Sequence, residues 1–361
     1  MDMISELEEL IDLCVEKKEE LHLFLVKSTR KGEEKNWDGQ LKNEIYDIEY
    51  AFMHLANNYS YYCAYSPFLM KFNCTNTKKY INLFCSSEDS NKEINSMEWM
   101  LPTNTLSTDN LYSLTYTKHL MPLMCDKVQL YEYVSKIIET PTTYIYDSIE
   151  LDEMDFSVSE KWVIKQTINK EQSTMEVFGK NEAEILKEKV FNLFHELNQK
   201  ITVNNPKIII QEFIDGLDVE VSVIKKGSKY IILPAVEIGK AYKYKEYLKY
   251  KRIAKLQKSG CKLFQPSKAI ENKIISNTEK CLKELGEIEG ICKFIYKVRN
   301  ENVYFIDFEI PPSLSEKSST YFVFNNFFPK NEFSLYQCLI GSKLYSIVNK
   351  EKDLKKNEID K

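Results

Sequence analysis

Apolar positions near the start of the chain alternate between helical and strand-like spacing. Intervals of three and four predict an amphipathic opening helix over 4–18, carried by Leu7, Leu10, Ile11, Cys14 and Val15. The compact apolar run at 22–27 predicts a buried strand, and a second helix is predicted from the stripe Ile45, Ile48, Ala51, Phe52 and Leu55. A further strand is expected at 79–85. Together these elements indicate a small N-terminal α/β unit.

Strand-like runs dominate the remainder of the chain. Helices are expected from 126 to just before Pro141 and at 182–199, 269–285 and 333–348. Strands are expected at 143–146, 162–165, 207–214, 219–224 and 230–238. The last three are interpreted as consecutive antiparallel strands, because turn sequences separate them at 215–216 and 225–228. A hairpin is expected at 292–298 and 303–308, and the charged tail at 349–361 is expected to fray.

The composition is that of an ordinary globular protein. The chain has 361 residues, 43% of them hydrophobic and 29% charged, which is enough for two or three packed units. Its formal net charge of -5 argues against a strongly basic nucleic-acid surface. The acidic start argues against a signal peptide, and no apolar run is long enough to predict a transmembrane helix. We therefore expect a cytoplasmic protein that does not contact membranes.

Cysteines, histidines and one basic stretch narrow the possible chemistry. Nine cysteines occur without a Cys-x-x-Cys pair, and the four histidines show no metal or triad spacing, so zinc and disulfide frameworks are not expected. The lysine- and tyrosine-rich stretch at 240–262 has two interpretations, a nucleic-acid groove or a loop that covers phosphate. The acidic whole favours the loop, so no nucleic-acid partner is expected.

Four sequence blocks occur in an order typical of one enzyme family. Residues 124–127 read Met-Cys-Asp-Lys at the start of a helix, and 208–218 join an apolar strand to an acidic hinge with a glycine. Residues 233–238 read Leu-Pro-Ala-Val-Glu-Ile, and 305–315 read Phe-Ile-Asp-Phe-Glu-Ile-Pro-Pro-Ser-Leu-Ser. In this combination the chain resembles the D-alanine–D-alanine ligases of the ATP-grasp superfamily.

The resemblance implies an α+β chain with the ATP-grasp fold, in which ATP binds between two β-rich layers. It divides the sequence into an N-terminal α/β domain at 1–118 and a central ATP-grasp subdomain at 119–204. The C-terminal ATP-grasp subdomain is expected at 205–348, followed by the charged tail at 349–361. The implied cofactors are ATP and Mg²⁺.

Three lysines are candidate phosphate ligands. A triphosphate carries dense negative charge, so several cations must converge on it from different elements. By the resemblance, Lys127, Lys165 and Lys249 bind the phosphates, and Lys249 lies in the loop that closes over them. The alternative for each lysine is a solvated surface position.

The strand end at 211–214 is the candidate adenine site. Adenine needs an apolar slot with a donor and an acceptor at its edge, and a strand end supplies free backbone groups. The resemblance assigns base recognition to this segment, which includes Gln211, through the Glu212 carbonyl and the Ile214 amide, and the ribose hydroxyl to Asp218. The alternative is an ordinary hairpin with a solvated acidic turn.

Asp307 and Glu309 are the candidate magnesium ligands. Positions two apart on a strand share a face, and one or two carboxylates with water suffice for Mg²⁺. The alternative is a pair of exposed strand acids. On the adjacent strand, Lys293 takes the position of a family arginine at the reacting centre, where it keeps the charge but loses the bidentate fork. Ser313 opens the segment that by analogy lines the carboxylate of the acceptor.

Three departures separate this chain from the family pattern. The first metal-binding aspartate of the family falls at Ile295. The loop at 166–174 has no glycine, so backbone amides approach phosphate less readily, and Ser173 or Thr174 would serve only after a two-residue shift of the alignment. The N-terminal segments that hold the first amino acid in the family are not recognisable. The D-alanine specificity is therefore not transferred.

These observations lead to an ATP-dependent carboxylate–amine ligase that forms an amide through an acyl phosphate. Its substrates would be a small-molecule or peptide carboxylate and an amine, and a homodimer is possible. A non-catalytic ATP-binding protein with a regulatory or assembly role is the alternative, because a lost metal ligand is typical of such decay. A phosphoryl transferase on the same fold is a third hypothesis.

Overall fold

The computed structural model describes most of the chain in segments that carry three β-sheets and seven α-helices. The described residues are 2–27, 40–63, 80–86, 111–114, 117–120, 123, 126–147, 151, 154–166, 176–199, 207–239 and 260–359.

The N-terminal sheet is parallel, in the order β2-β1-β3-β4. Its strands are β1 (Leu21–Lys27), β2 (Asn58–Cys63), β3 (Ile81–Ser86) and β4 (Leu111–Ser113). The predicted helices are confirmed as α1 (Met3–Glu16) and α2 (Gln40–Leu55). The apolar residues that predicted α1 form the buried side of the helix, since Leu7, Leu10 and Cys14 are at most 1% exposed.

A second sheet is antiparallel, in the order β5-β8-β6-β7. It contains β5 (Thr143–Tyr146), β6 (Lys161–Gln166), β7 (Val177–Gly179) and β8 (Ile208–Glu212). Helix α3 (Lys127–Val134) precedes it, and α4 (Ala183–Gln199) packs against it through Leu186, Val190 and Leu197.

The third sheet is the centre of the molecule, in the order β12-β11-β9-β13-β14, with β10 also paired to β9. Its strands are β9 (Leu217–Lys226), β10 (Lys229–Ile232), β11 (Val236–Ile238), β12 (Cys261–Leu263), β13 (Ile291–Arg299) and β14 (Asn302–Glu309). One face packs on α3 and α5 (Lys268–Leu285). Helices α6 (Ser319–Phe327) and α7 (Ser334–Ile359) follow β14.

The expected hairpin between 207–214 and 219–224 is wrong. Strand β8 pairs with β5 and β6 in the second sheet, whereas β9 pairs with β11 and β13 in the third. Alternate residues of β8 enter different cores: Ile208 and Ile210 join the core under α4, while Ile209 joins the core beneath α3 and α5. A strand that is buried on both faces lies between two packed layers and pairs within one of them. The turn at 215–216 therefore connects two sheets and does not close a hairpin.

Other boundaries also differ from expectation. The segment 230–238 forms two strands, because Pro234 cannot donate a ladder hydrogen bond. Helix α3 ends at Val134, before the expected limit at Pro141. Helix α7 continues to Ile359, where fraying was expected, since lysine and glutamate favour helices. Strands β2, β4, β7 and β12 and helix α6 were not predicted.

The first and last helices close the fold together. Residues of α1, α2, β1 and β3 share one apolar core with α6, α7 and part of β9. Gly341 of α7 lies against the backbone of α1, where an added Cβ would meet the Leu10 carbonyl oxygen at 2.0 Å. Among the described helices, none is long and apolar enough to span a bilayer.

Candidate functional site

Lys127 is held at the first turn of α3. The preceding Asp126 caps the helix, and its carboxylate accepts from the amides of Val128 at 2.9 Å and Gln129 at 3.4 Å. Lys127 extends from this fixed turn to form an ion pair with Asp307 of β14. The pair joins the start of α3 to the edge of the third sheet.

Lys165 lies between the second and third sheets with neutral partners. Its Nζ atom donates to Gln211 Oε1 at 2.6 Å and to the Tyr131 hydroxyl at 3.0 Å. Burial lowers the pKa of Lys165 to about 8; the Asp307 charge opposes this shift and the Lys127 charge adds to it. We call Lys127, Tyr131, Lys165, Gln211 and Asp307 the interlayer cluster.

The third sheet carries alternating charges beside this cluster. In the β13–β14 ladder, Lys293 lies opposite Glu309 and Ile295 lies opposite Asp307. Lys293 Nζ is 2.9 Å from Glu220 Oε2 and 3.0 Å from Glu309 Oε2. Burial lowers the pKa of Lys293, but Glu309 and Glu220 outweigh that effect and raise it well above its ordinary value. Lys293 is therefore a permanent cation held by two carboxylates.

The predicted adenine and ribose residues lie at the crossing from β8 to β9. The Glu212 carboxylate accepts from Arg299 at 3.2 Å and from the Thr142 hydroxyl at 3.4 Å. The Glu212 side chain is thus engaged in contacts with β13 and with the residue before β5. Ile214 is 2% exposed, and Asp218 forms an ion pair with Lys297 of β13.

Ser313 lies after β14, in the segment that leads to α6. Its hydroxyl is 3.2 Å from the Ser315 hydroxyl. Ser318 caps α6 and accepts from the Tyr321 amide at 3.1 Å. Ser319, one residue further on, donates to Glu220. The serine segment thus reaches the charged residues of the third sheet through Ser319.

Part of the predicted site lies outside the described residues. This applies to Lys249 with its covering loop, to Ser173 and Thr174, and to Met124 of the first sequence block. Among the predicted residues that are described, Lys127, Lys165, Gln211 and Asp307 meet in one cluster. Lys293 and Glu309 lie on the strands next to it.

Several residues around the site were not predicted. Glu220 could have been predicted from the sequence, because it lies two residues beyond Asp218 and therefore shares the same strand face. No sequence pattern marks Tyr131, Lys297 or Arg299, since their contacts depend on which strands and helices become neighbours. A single tyrosine in an amphipathic helix looks like any other core residue.

The carboxylates suit a magnesium ion only in combination with other ligands. Within the described ranges, no group of three or more histidine, cysteine or acidic side chains is arranged to hold a metal. Asp307 and Glu309 share one strand face, since the intervening Phe308 is buried in the opposite core. Two carboxylates with water and phosphate oxygens are a sufficient donor set for Mg²⁺. The residues present therefore fit a nucleotide-bound magnesium ion.

No family model and no curated protein matches the sequence, but solved structures match the fold. The ATP-complexed D-alanine–D-alanine ligase from Bacillus anthracis is 13% identical, with a TM-score of 0.60 over 92% of this chain and 99% of the ligase. The D-Ala:D-Ser ligase from Enterococcus faecalis is 12% identical, with a TM-score of 0.58 over 90% of this chain and 99% of that one.

A structure of N5-carboxyaminoimidazole ribonucleotide synthetase in complex with ADP also matches. It is 12% identical, with a TM-score of 0.50 over 81% of this chain and 70% of the synthetase. The chain has the ATP-grasp fold. The predicted fold class is thereby confirmed, with the second and third sheets as the two β layers of the fold. The interlayer cluster joins them.

Proposed function

We propose that this protein is an ATP-dependent ligase that joins a carboxylate to an amine. The observation that carries the proposal is Lys165, a cation between the two sheets whose described hydrogen-bond partners are neutral. A cation that lacks a carboxylate partner attracts an anion, and a nucleotide phosphate is the anion that suits the ATP-grasp fold. The fold-level similarity to two nucleotide-bound enzymes supports the same conclusion.

Phosphate binding is assigned to Lys127, Lys165 and Lys249. In this proposal Lys127 exchanges its contact with Asp307 for a phosphate oxygen when ATP binds. The N-terminus of α3 adds a partial positive charge beside the same lysine. Burial of Lys165 strengthens its attraction to phosphate, because charges interact more strongly where water is excluded.

The base and ribose are assigned to the crossing between β8 and β9. The Glu212 carbonyl and the Ile214 amide would bind adenine, with Gln211 supporting the adjacent lysine, and Asp218 would accept from the ribose. Arg299 and Thr142 fix the Glu212 side chain, which steadies the backbone that recognises the base. This arrangement keeps the adenine subsite next to Lys165 because both lie on paired strands of the second sheet.

Asp307 and Glu309 would hold Mg²⁺, which neutralises charge on the transferring phosphate when it is bound. Each carboxylate now contacts a lysine, Lys127 or Lys293. Release of Lys127 to phosphate would make Asp307 available to the metal. After this exchange the phosphate would compensate the charge of Lys127, and Mg²⁺ would compensate the charge of Asp307.

The proposed reaction has two steps. The substrate carboxylate oxygen attacks the γ-phosphorus of ATP, and the bond between that phosphorus and the β-phosphate oxygen breaks. ADP is released, and the substrate becomes an acyl phosphate. The amine nitrogen then attacks the acyl carbon, loses a proton and expels phosphate, which leaves an amide. Lys293 would stabilise negative charge at the reacting centre, and Ser313 would orient the carboxylate of the acceptor.

A non-catalytic nucleotide-binding protein is the second candidate. The observation that favours it is Ile295, an apolar residue opposite Asp307 where a third carboxylate would complete the metal site. The charge of Lys293 is also compensated by two carboxylates, Glu220 and Glu309. Such a protein would bind ATP without turning it over.

A binding and turnover assay separates these functions. The full chain would be titrated with ATP and Mg²⁺ by calorimetry, then incubated with pooled amino acids and short peptides while phosphate release is measured. The ligase proposal expects phosphate release that depends on both a carboxylate and an amine. ATP binding without substrate-dependent release across the panel supports the non-catalytic protein, and absence of ATP binding contradicts both.

A further inference from the structure

We infer that Tyr131 is a positioning residue that holds the Lys165 ammonium group for phosphate. Its hydroxyl joins helix α3 to strands of both sheets, β14 and β6. The inference rests on the proposed nucleotide site and assigns a role within it to a residue that the sequence motifs do not include.

The direction of the hydrogen bonds at Tyr131 is determined by proton count. A tyrosine hydroxyl has one proton, and that proton is donated to the carbonyl oxygen of Ile306. The contact of 3.0 Å with Lys165 Nζ must therefore use a lone pair of the hydroxyl. Burial, followed by the Asp307 charge, raises the pKa of Tyr131 well above its ordinary value, so the phenol keeps this proton.

A bulge in β14 makes the Ile306 carbonyl available. Ile295 pairs with Asp307 and Tyr296 pairs with Phe305, so Ile306 has no residue opposite it. Its carbonyl accepts from Tyr131 outside the regular ladder. The bulge lies next to Asp307, so it links the Tyr131 contact to the start of the proposed metal site.

Lys165 is held by two acceptors, and both are oriented by further contacts. Gln211 Oε1 accepts from Lys165 because the amide nitrogen of Gln211 donates to Thr143 Oγ1 at 2.9 Å. Thr143 in turn donates to the Pro141 carbonyl at 2.8 Å. An ammonium group has three N–H bonds, so two described acceptors leave one donor for a ligand.

Both acceptors are neutral, so neither of them compensates the positive charge of Lys165. The other lysines near the site have carboxylate partners: Lys127 pairs with Asp307, and Lys293 pairs with Glu220 and Glu309. The Tyr131 ring adds a weaker attraction, with the Lys165 nitrogen 5.3 Å from its centroid. Tyr131 thus positions a cation without neutralising it.

The test is Tyr131→Phe, with Tyr133→Phe as the matched control. Tyr133 lies in the same helix and donates its hydroxyl to the Glu284 carbonyl at 2.6 Å, away from Lys165. Dissociation constants for adenosine, ADP and ATP would be measured by calorimetry on the full chain. Hydrogen bonds to charged groups contribute about 1.5–3 kcal/mol, so we expect Tyr131→Phe to weaken ADP and ATP binding about tenfold or more.

Adenosine is the internal reference because it has no phosphate. We expect its affinity to be unchanged in Tyr131→Phe, and all three affinities to be unchanged in Tyr133→Phe. Gln211→Met removes the second acceptor of Lys165 and should cause the same phosphate-specific loss, which keeps the inference testable if Tyr131→Phe does not fold.

Failures of the two proposals give different results. Wild-type protein that binds neither ADP nor ATP contradicts the proposed function and the role of Tyr131 with it. Normal ADP binding by Tyr131→Phe overturns only the positioning role. Equal weakening of adenosine and ADP also overturns it, since a general structural defect does not discriminate phosphate.

Discussion

At the scale of single residues, the charge of Lys165 has opposite effects on stability and on the proposed function. Partial burial without a carboxylate partner disfavours the ammonium form, whereas phosphate requires it. Lys127 and Lys293 do not carry this conflict, because each has an anionic partner. Sites that bind charge often retain such destabilising groups.

Lys165→Met should therefore stabilise the ligand-free protein and abolish phosphate-dependent nucleotide binding. The lowering of the Lys165 pKa from 10.5 to about 8 corresponds to about 3–4 kcal/mol, at about 1.4 kcal/mol per pKa unit. Loss of the hydrogen bonds to Gln211 and Tyr131 offsets part of this, so a gain in the free energy of unfolding of about 2 kcal/mol is expected at neutral pH. Denaturant titration and ADP calorimetry would measure the two effects. A destabilised variant, or one that binds ADP normally, would contradict the assigned environment of Lys165.

The pH dependence of stability has a definite sign. The pKa of Lys165 falls from 10.5 to about 8 on folding, so between these values the unfolded chain binds more protons than the folded one. The contribution of Lys165 to stability therefore increases as pH rises from about 8 to 10.5. Denaturant titrations across this window should show the increase in wild-type protein and its loss in Lys165→Met.

Ile295→Asp tests the metal site. The new carboxylate would lie opposite Asp307 in the ladder, and a third acidic ligand should tighten Mg²⁺ binding in the presence of ADP by about tenfold. Ile295→Asn has nearly the same shape without the charge and should give a smaller gain. Equal Mg²⁺ affinities for wild type, Ile295→Asp and Ile295→Asn would show that the metal does not bind at Asp307.

The sequence was enough to nominate Lys127 and Asp307, because their blocks occur in a recognisable order, and Lys165, because it ends a predicted strand between those blocks. It was not enough to nominate Tyr131 or Lys297, whose contacts depend on distant strands. The partners of Asp307 and Glu309 were also unpredictable, since an ion pair forms between whichever charges the fold brings together. The roles of all these residues in binding or catalysis remain predictions.

At the scale of elements, the crossing from β8 to β9 lies close against strand β13 of the third sheet. Gly216 lies at this crossing, where an added Cβ would be 2.5 Å from the Val298 carbonyl oxygen. A backbone oxygen in a paired strand cannot move aside as a side chain can. The close approach of these two backbones explains why a glycine occupies the turn.

Gly216→Ala should destabilise the protein by about 2 kcal/mol and weaken nucleotide binding, because the added Cβ forces the crossing away from Val298 of β13. Gly179→Ala is the control: among the described residues, its Cβ would meet the Glu182 carboxylate alone, at 3.4 Å. Thermal unfolding and ADP calorimetry would be compared for the two variants. Similar small effects in both would mean that the crossing tolerates a side chain.

The positions of most elements were predicted well, whereas the partners of a strand buried on both faces were not. Helices α1 and α5 and the β13–β14 hairpin agree with their apolar periodicity and turn residues. Strand β8 has no polar face to indicate its partners, so its pairing was misjudged. Short strands such as β7 contain too few residues to show any periodicity.

At the scale of the whole molecule, the two ends of the chain meet in one core. Helix α1 packs against α7, and the shared core continues through β1, α2 and β9. Unfolding of α7 would therefore expose apolar residues of the N-terminal sheet. We expect this core to lose structure as a unit.

Gly341→Ala tests this coupling, since its Cβ would overlap the Leu10 carbonyl in α1. Overpacking of this kind destabilises by about 1–3 kcal/mol, and hydrogen exchange should accelerate in both α7 and β1. Ser346→Ala removes only a hydrogen bond within α7, to Ser342, and should have little effect. Faster exchange confined to α7 in Gly341→Ala would contradict a shared core.

The sequence by itself determined the fold class, most helices and the candidate phosphate and metal residues, because local periodicity and ordered motifs reside in neighbouring positions. Tertiary structure decided which sheet β8 joins, which lysine has neutral partners and that Tyr131 links both layers. These depend on contacts between residues far apart in the chain, such as the 175-residue separation of Tyr131 and Ile306. Charge compensation and hydrogen-bond direction arise only once such residues are brought together.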